Sequence, residues 1–495
     1  MSIYSGVLFD YQKLAAKRIQ EQRRVLLADQ PGLGKTLEVL GALELDGIFS
    51  GYANVLILTP IINAQTTWRD SIQRWVQDKY DVQLIDVSKG SAAKKSKQFE
   101  NVGACNIVLA NHDALARVPE IASLTYDAVI VDESHLVLPI KDMRKLTKFW
   151  QALGKVQFSS NALRIAVSGT PDRGKLENRF GTYFFLDPKS IGGNRWAWLE
   201  KNFWVTEQRV SRTRTVKMVQ GLKDQQAWLA KDGEVMIRRT KAEVLPQLPP
   251  KRYVDVELEL GKEQRAAYIA QQTETGRKIF DAKVEERDTA EAMVFALRAR
   301  QLATCSWDGG DKPPVPVLGG PSTKLDWLLE WLDSRGFIEP DSFADNTAQV
   351  VIVSQFSKVL HWLKEELNVR GIQSDILDGA TSDGRRVSIQ SSFQSGDLRV
   401  VLLSGSMGVG INLDRADDLI MLDSPYDPDR IEQIEDRVHR ASSNHHVTIW
   451  NVIALDTIDQ AVMEKVSKRY AETRTIMDGS RGVDFARKVL AIVNG

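Results

Sequence analysis

Lys35 and Thr36 close the stretch 25–36, VLLADQPGLGKT, in which Gly32 and Gly34 flank Leu33 just before the lysine. Glycines at that spacing let backbone N–H groups close around β- and γ-phosphates. The lysine adds a point charge, and the threonine hydroxyl can serve Mg2+. Gly32, Leu33, Gly34, Lys35 and Thr36 are therefore the expected nucleotide cradle, with Thr36 on the metal. The strict pattern puts another glycine at position 29, where this chain has Asp29. The match is partial, and a plain Gly-Leu-Gly turn between strand and helix is the alternative.

Two further clusters supply what a phosphate cradle lacks. Asp132-Glu133-Ser134-His135 follows the apolar run 128–131. At a strand end, Asp132 could hold Mg2+ through water while Glu133 orients or deprotonates the attacking water. The competing reading is an Asx-type turn. The stretch 433–440, QIEDRVHR, has helical spacing, which puts Gln433, Arg437 and Arg440 on one face. Two arginines on one face can straddle a γ-phosphate and stabilise the transferring group, an effect of ~10³–10⁵ in rate. On an ordinary surface helix they would instead pair with Glu435 or Asp436 for about 0.3–0.5 kcal/mol.

These residues need rigid elements to hold them. Short apolar runs at 25–28, 55–58, 107–110, 128–131 and 165–167 form one series. Runs at 350–353, 400–403, 419–422 and 447–453 form a second. Runs of this kind between helical stretches read as central strands of parallel sheets. The expected fold class is α/β, with two parallel-sheet domains, and ligands belong at the carboxyl ends of their strands. From about 174 to 241 the chain is rich in Trp, Lys and Arg and shows no convincing strand. Residues 261–304 have helical spacing, and Pro313, Pro314 and Pro316, between Gly309-Gly310 and Gly319-Gly320, read as a connector.

At 495 residues the chain is too long for one ordinary core. Its N-terminus lacks a secretory pattern, and no apolar run approaches the ~18 residues of a membrane span. Cys105 and Cys305 lie outside any C-x-x-C spacing and read as reduced intracellular thiols. His445-His446 would point to opposite faces of a strand, a poor metal pair. The formal net charge is zero, but 201–252 holds 12 Lys/Arg against 5 Asp/Glu, and 411–437 holds 3 Arg against 9 Asp/Glu. The basic segment could meet nucleic acid or simply be a solvated face.

Taken in order, the motifs resemble the helicase-like ATPases of superfamily 2, specifically the Swi/Snf type. Phe9-Asp10-Tyr11-Gln12 resembles the element whose glutamine reads adenine, which makes Gln12 a base contact. The loop 29–36 resembles motif I, Leu58-Thr59-Pro60 motif Ia, Asn111-His112 motif Ib, Asp132–His135 a DESH form of motif II, and Ser168–Pro171 motif III. Met236–Lys241, running to Leu248-Pro249-Pro250-Lys251, is a Swi/Snf-type signature, similar to the small annealing-helicase and HepA-related branch. Val353–Phe356 resembles motif IV, Gly408–Leu413 motif V and Gln433–Arg440 motif VI. The chain departs from the family at Gln30-Pro31, in place of Glu-Met, and at Ala441-Ser442-Ser443, in place of Ile-Gly-Gln.

The resemblance implies two RecA-like lobes with helical insertions that close on ATP and Mg2+. Lys35, Asp132, Glu133, Arg437 and Arg440 would be catalytic, and Gly410 and Gln433 would also touch nucleotide. His135, Ser168 and Thr170 would couple γ-phosphate state to lobe geometry, or merely cap strand ends. Thr59, Asn111 and Gln355 would contact DNA, duplex or branched and without sequence preference. The implied division is lobe 1 at 1–172, an insertion and return at 173–249, a helical bridge at 250–320, lobe 2 at 321–475 and a terminal helix at 476–495. The activity implied is that of an ATP-dependent DNA translocase. A single-strand DNA or RNA helicase and an ATP-switched clamp are the alternatives. A cytoplasmic, DNA-associated place without membrane is expected, and the compact length suits a bacterial or phage protein.

Overall fold

The computed structural model describes residues 2–172, 175–209, 215–281, 288–308, 315–316, 322–337, 347–405, 411–440, 443, 445–464 and 466. Two compact units divide the chain between Pro246 and Gln247. The first holds β1 (Arg24–Leu27), β2 (Ala53–Thr59), β3 (Gln83–Asp86), β4 (Cys105–Asn111), β5 (Thr125–Val131) and β6 (Gln157–Val167). A hairpin of β7 (Phe203–Arg209) and β8 (Thr215–Leu222) follows, then β9 (Met236–Ile237). The second unit holds β10 (Arg252–Leu258), the short antiparallel pair β11 (Trp307–Asp308) and β12 (Val315–Pro316), then β13 (Val350–Ser354), β14 (Ser374–Leu377), β15 (Val400–Ser404), β16 (Asp418–Met421) and β17 (Thr448–Ala454).

The first sheet runs β3-β4-β2-β5-β6-β1-β9 and the second β10-β17-β16-β13-β15-β14. Every pairing in both is parallel. The α/β expectation with two parallel sheets is met, and the reason lies in the side chains. Leu26, Leu56, Leu58, Val129 and Val131 enter one apolar cluster. Their chain neighbours Val25, Leu27, Val55, Ile57 and Ile130 enter another, on the opposite face. Both faces of each strand must be covered, so continuous Val/Ile/Leu runs replace alternation. A Leu or Ile buried to this extent contributes roughly 1.5–3 kcal/mol. The second sheet repeats the plan, with Val350, Ile352, Val400 and Leu402 on one face and Val351, Val353, Val401 and Leu403 on the other.

The stretch 174–241, expected to lack strands, is a correction: it carries the β7–β8 hairpin and the edge strand β9. Val205 and Val219 pack toward the core while Trp204, Thr206 and Met218 do not, so the apolar signal is halved. A two-residue strand such as β9 is too short for any periodicity to register. Polar edge strands β3, β10 and β14 are likewise absent from the expected series. The stretch expected as a bridge, 250–320, opens with β10 of the second sheet. The expected helix at 476–495 and most of the Gly/Pro connector lie outside the described residues, and among those described no helix is long and apolar enough to cross a membrane.

Behind the first sheet, Arg179 is fully buried between two carboxylates. Its Nε and Nη2 donate to Asp172 at 2.6 and 2.7 Å, and its Nη1 donates to Asp232 at 2.5 Å. Against burial, which would lower it, Asp172 and Asp232 hold the guanidinium well above its ordinary value. The network ties the residue after Ser168–Pro171 to the helix Gln225–Val235 that precedes β9. Arg179→Leu strands two buried carboxylates and should cost about 3–5 kcal/mol. Urea denaturation checks this; a loss under about 1 kcal/mol would contradict it.

Candidate nucleotide site

Two helices frame the phosphate loop, α1 (Asp10–Gln22) before β1 and α2 (Lys35–Leu45) after it. The loop leaves the carboxyl end of β1 and enters α2 through a tight turn that ends at Gly34. Gly32 and Gly34 have φ of 85° and 81°, in the left-handed region that side chains resist. Gly34 is also crowded: a Cβ there would come within 2.4 Å of the Gln12 side-chain nitrogen. Lys35 Nζ donates to the Asp29 carbonyl at 2.7 Å and to that of Gln30 at 3.3 Å. Gln12 caps its own helix by accepting from Phe9 N at 3.0 Å, and its amide donates to Leu33 O at 2.9 Å. The Tyr11 hydroxyl donates to the same carbonyl at 3.0 Å. Gln12 and the loop are thus in direct contact.

Asp29, the position where the strict pattern wants glycine, is a fully buried carboxylate. Arg239 answers it. Its backbone N–H and Nε donate to Asp29 Oδ1 at 2.9 and 3.2 Å, and its Nη2 forms an ion pair with Asp29 Oδ2. The same Nη2 donates to Glu38 Oε1 at 2.8 Å, and Nη1 donates to the Tyr11 carbonyl. The guanidinium carbon lies 5.1 Å from the Tyr11 ring centre. Glu38 is buried as fully as Asp29, and its Oε2 has no donor. Burial first, then the Asp29 charge, push the Glu38 carboxyl well above its ordinary value, with Arg239 and Lys35 opposing. A proton on Oε2, shared toward Asp29, meets both the orphan acceptor and the charge balance.

Neighbouring Arg238 donates through Nη1 to Ala28 O at 2.7 Å and Gly169 O at 2.9 Å. The unusual Gln30-Pro31 pair is built into the same floor. Gln30 N donates to Arg239 O at 3.0 Å, and Gln30 Oε1 accepts from Lys241 N at 2.6 Å. A Cβ on Gly169 would meet the Pro31 ring at 2.6 Å, so proline and glycine are matched. In the sequence, Met236–Lys241 is a family signature whose arginines have no task of their own. The charge match to Asp29 is the signal that could have assigned one.

Asp132 follows β5 and is buried. Its Oδ2 accepts from the Thr59 hydroxyl at 2.8 Å, Asn63 at 3.1 Å and the Trp68 indole at 2.9 Å. Its Oδ1 takes one backbone donor, Glu133 N at 2.9 Å, and keeps lone-pair capacity for a cation's water. A carboxylate oxygen with that capacity is a hard donor of the kind Mg2+ takes. Glu133 adopts φ 45°, a left-handed backbone that costs a non-glycine residue about 1 kcal/mol or more. His135 Nδ1 lies 2.7 Å from Ser168 Oγ and 3.4 Å from Glu133 Oε2, and Thr170 N donates to Ser168 Oγ at 3.1 Å. His135, Ser168 and Thr170 are therefore brought together, adjoining Glu133.

Two residues expected to meet DNA have local tasks. Thr59 is fully buried, with its hydroxyl given to Asp132. Asn111 donates to Ser88 O at 3.1 Å and accepts from Ala114 N at 2.7 Å, starting the short helix Ala114–Arg117. His112, next to it, places Nε2 2.9 Å from the Asp132 carbonyl, and burial lowers its imidazole below the ordinary value. Asn63, Trp68 and His112 hold Asp132, and none of them is among the site residues expected from sequence. An isolated Trp or Asn in a helical stretch carries no spacing by which to recognise it.

In the second unit, Ser354 Oγ donates to Asp423 Oδ2 at 2.6 Å, and Gln355 N donates to Asp423 Oδ1 at 2.8 Å. The Gln355 amide lies over Gly405, where a Cβ would clash at 1.7 Å. Helix α3 (Pro428–Val438) carries Gln433 and Arg437 one turn apart. It stops before Arg440, because His439 is extended at φ −124° and ψ 94°. The expected common face for Gln433, Arg437 and Arg440 is corrected: Arg440 lies beyond the helix, its N–H donating to Ser443 Oγ at 3.0 Å and its Nη2 to Ile411 O at 2.7 Å. Glu435 and Asp436 take Lys251 Nζ at 2.8 and 3.3 Å, and Glu435 also accepts from the Tyr253 hydroxyl at 2.9 Å. Gly410 and Ala441-Ser442 lie outside the described residues.

Two family models together match most of the chain. The SNF2-related domain matches residues 11–306, and the helicase conserved C-terminal domain matches 324–442. Chromodomain-helicase-DNA-binding protein 1-like of Mus musculus is 23% identical over 484 residues, covering 94% of this chain and 49% of that protein. An uncharacterized ATP-dependent helicase of Mycoplasma pneumoniae is 24% identical over 482 residues, covering 95% and 42%. DNA annealing helicase and endonuclease ZRANB3 of Homo sapiens is 23% identical over 467 residues, covering 94% and 40%. The chain spans about half the length, or less, of these curated relatives.

The Glu38 proton gives a pH test. Its folded value is raised, so the folded state keeps a proton that the unfolded chain releases above about pH 4.5. Stability is therefore lost as pH rises, by at most about 1.4 kcal/mol per unit until the folded value is reached. Glu38→Gln keeps the acceptor for Arg239 and supplies a permanent donor toward Asp29. Its advantage over the wild type in urea denaturation should widen as pH rises above about 5. Parallel pH profiles would refute the shared proton.

Proposed function

The chain belongs to the SNF2-related family, and on that premise we propose that it is an ATP-hydrolysing motor that moves along or remodels duplex DNA inside the cell. What supports this reading is that the loop carrying Lys35 leaves β1 and is tied, through Pro31 and Arg238 at Gly169, to the turn where Ser168 meets His135 beside Glu133. Lys35, now on loop carbonyls, would exchange them for phosphate oxygens. Thr36 and Asp132 would hold Mg2+, which supplies charge neutralisation at the phosphates when bound. Glu133 would orient and deprotonate the attacking water, and His135 with Ser168 would relay the state of that carboxylate to the Thr170 backbone. Gln12, Gly410 and Gln433 carry over as nucleotide contacts, and Arg437 and Arg440 as sources of positive charge for the transferring group.

For DNA, Gln355 carries over as a contact, and the β7–β8 hairpin supports a backbone-directed surface on the first unit. Trp204 is 61% exposed and Met218 43%. Lys223 Nζ sits 5.3 Å from the Trp204 ring and Lys217 Nζ 5.5 Å from that of Trp196. Cations beside open aromatic faces suit phosphate and base contact without sequence readout.

The test is ATP turnover with duplex DNA, single-stranded DNA and RNA. Duplex should stimulate most, and Lys35→Ala or Glu133→Gln should lower kcat by ~10² or more. Stimulation by single strands or RNA alone would replace this reading with a strand-tracking helicase, and turnover unchanged in both variants would overturn the site. Trp204→Ala with Lys223→Ala should weaken duplex binding and lower the salt slope by about 1. An unchanged slope would remove the hairpin from the DNA surface.

A further inference from the structure

Arg239 bonds to three segments that the chain keeps far apart. They are Tyr11 beside Gln12, Asp29 at the start of the phosphate loop, and Glu38 in the first turn of α2. The bonds divide one side chain among them. Nε and Nη2 grip the Asp29 carboxylate as a fork, Nη2 also reaches Glu38, and Nη1 holds the Tyr11 carbonyl. The planar face lies near the Tyr11 ring, whose hydroxyl returns to the loop at Leu33 O. Gln12 bonds to that same carbonyl and rests on Gly34. The α1 start and the loop are thus held from two sides, by Arg239 at Asp29 and by Tyr11 and Gln12 at Leu33.

We propose that Arg239 is a positioning residue for nucleotide selectivity, fixing the Tyr11-Gln12 segment against the phosphate loop so that base and phosphates are recognised at one set separation. The proposal rests on the reading of Gln12 as a base contact in an ATP site. A loop free to shift relative to Gln12 would still bind triphosphate through Lys35 and backbone amides, but would read the base poorly. Selectivity, more than phosphate affinity, is then what the guanidinium supplies. The rigid fork is the essential part, since an ammonium cannot serve two carboxylates and a carbonyl in one plane.

The measurement is binding of fluorescent ATP and GTP analogues to the full chain, with Arg239→Lys as the main variant. The wild type should prefer ATP, and Arg239→Lys should shrink the ATP-to-GTP affinity ratio about tenfold, mainly by weakening ATP. Tyr11→Phe, which removes only the hydroxyl bond to Leu33 O, should shrink it in the same direction by a smaller factor. A merely structural role would lower the bound fraction for both nucleotides and leave the ratio unchanged, and that result would overturn the proposal. A wild type that binds both equally would overturn it as well. A wild type that binds neither would instead refute the ATP site itself, so the two failures are distinguishable. If Arg239→Lys does not fold, an unchanged ratio in Tyr11→Phe is the overturning result.

Discussion

Two carboxylates and one guanidinium under the phosphate loop set the terms for the rest of the first unit. Asp29 and Glu38 are both fully buried, and Arg239 is the cation bonded to both. A buried anion without compensation costs several kcal/mol, so this trio is stable only with a proton on Glu38 or with tight donors on every oxygen. The arrangement therefore demands that β9 lie against β1, because that pairing delivers Arg239 to Asp29. The two-residue register Leu26↔Met236 and Leu27↔Ile237 is short, and by itself contributes little. The charge match holds it.

The same floor carries structure toward His135 and Glu133. Arg238 bridges Ala28 and Gly169, and Pro31 rests on Gly169, so the loop and the Ser168–Pro171 turn are tied to each other. Ser168 then faces His135, and His135 faces Glu133. A displacement of the phosphate loop cannot leave the Glu133 surroundings unchanged. Pro31 gives up a backbone donor that any other residue there would keep. In return it gains a rigid contact to the turn that adjoins Glu133.

The two parallel sheets were legible because their strands are buried on both faces, and that burial demands continuous Val/Ile/Leu runs such as 55–58 and 350–353. The positions of Asp132 and Glu133 in the fold were legible because they stand just beyond such a run, and that of the phosphate loop because its glycines follow another. The holders were not. Trp68 and Asn63 reach Asp132 from a helical stretch after β2, and Arg239 reaches Asp29 across 210 positions of chain. Long-range polar contacts leave no periodicity, and only a count of unpaired charges could have hinted at them. Arg440 departs from expectation for a different reason: helical spacing continues past Val438 in the sequence, while the backbone turns extended at His439.

Charge counts over windows mislead for the same physical reason. The acidic stretch 411–437 reads as an anionic surface beside arginines meant for phosphate, an awkward pairing. In the structure many of those acids face inward: Asp423 serves Ser354 and Gln355, Asp418 the Trp450 indole, and Glu435 Lys251 and Tyr253. Asp417 accepts from Gln349 N, and Asp427 caps α3. The basic stretch 201–252 divides in the same way. Arg238, Arg239 and Lys251 are spent on internal bonds, so its net charge overstates what DNA could meet. Among the described residues the outward cations include Lys201, Lys231 and Arg252, and on the hairpin Lys217 and Lys223, which lie beside tryptophans and also bond to Glu200. A window sums charges that the fold has already sorted into inner balance and outer field, and only the second part can attract a polyanion.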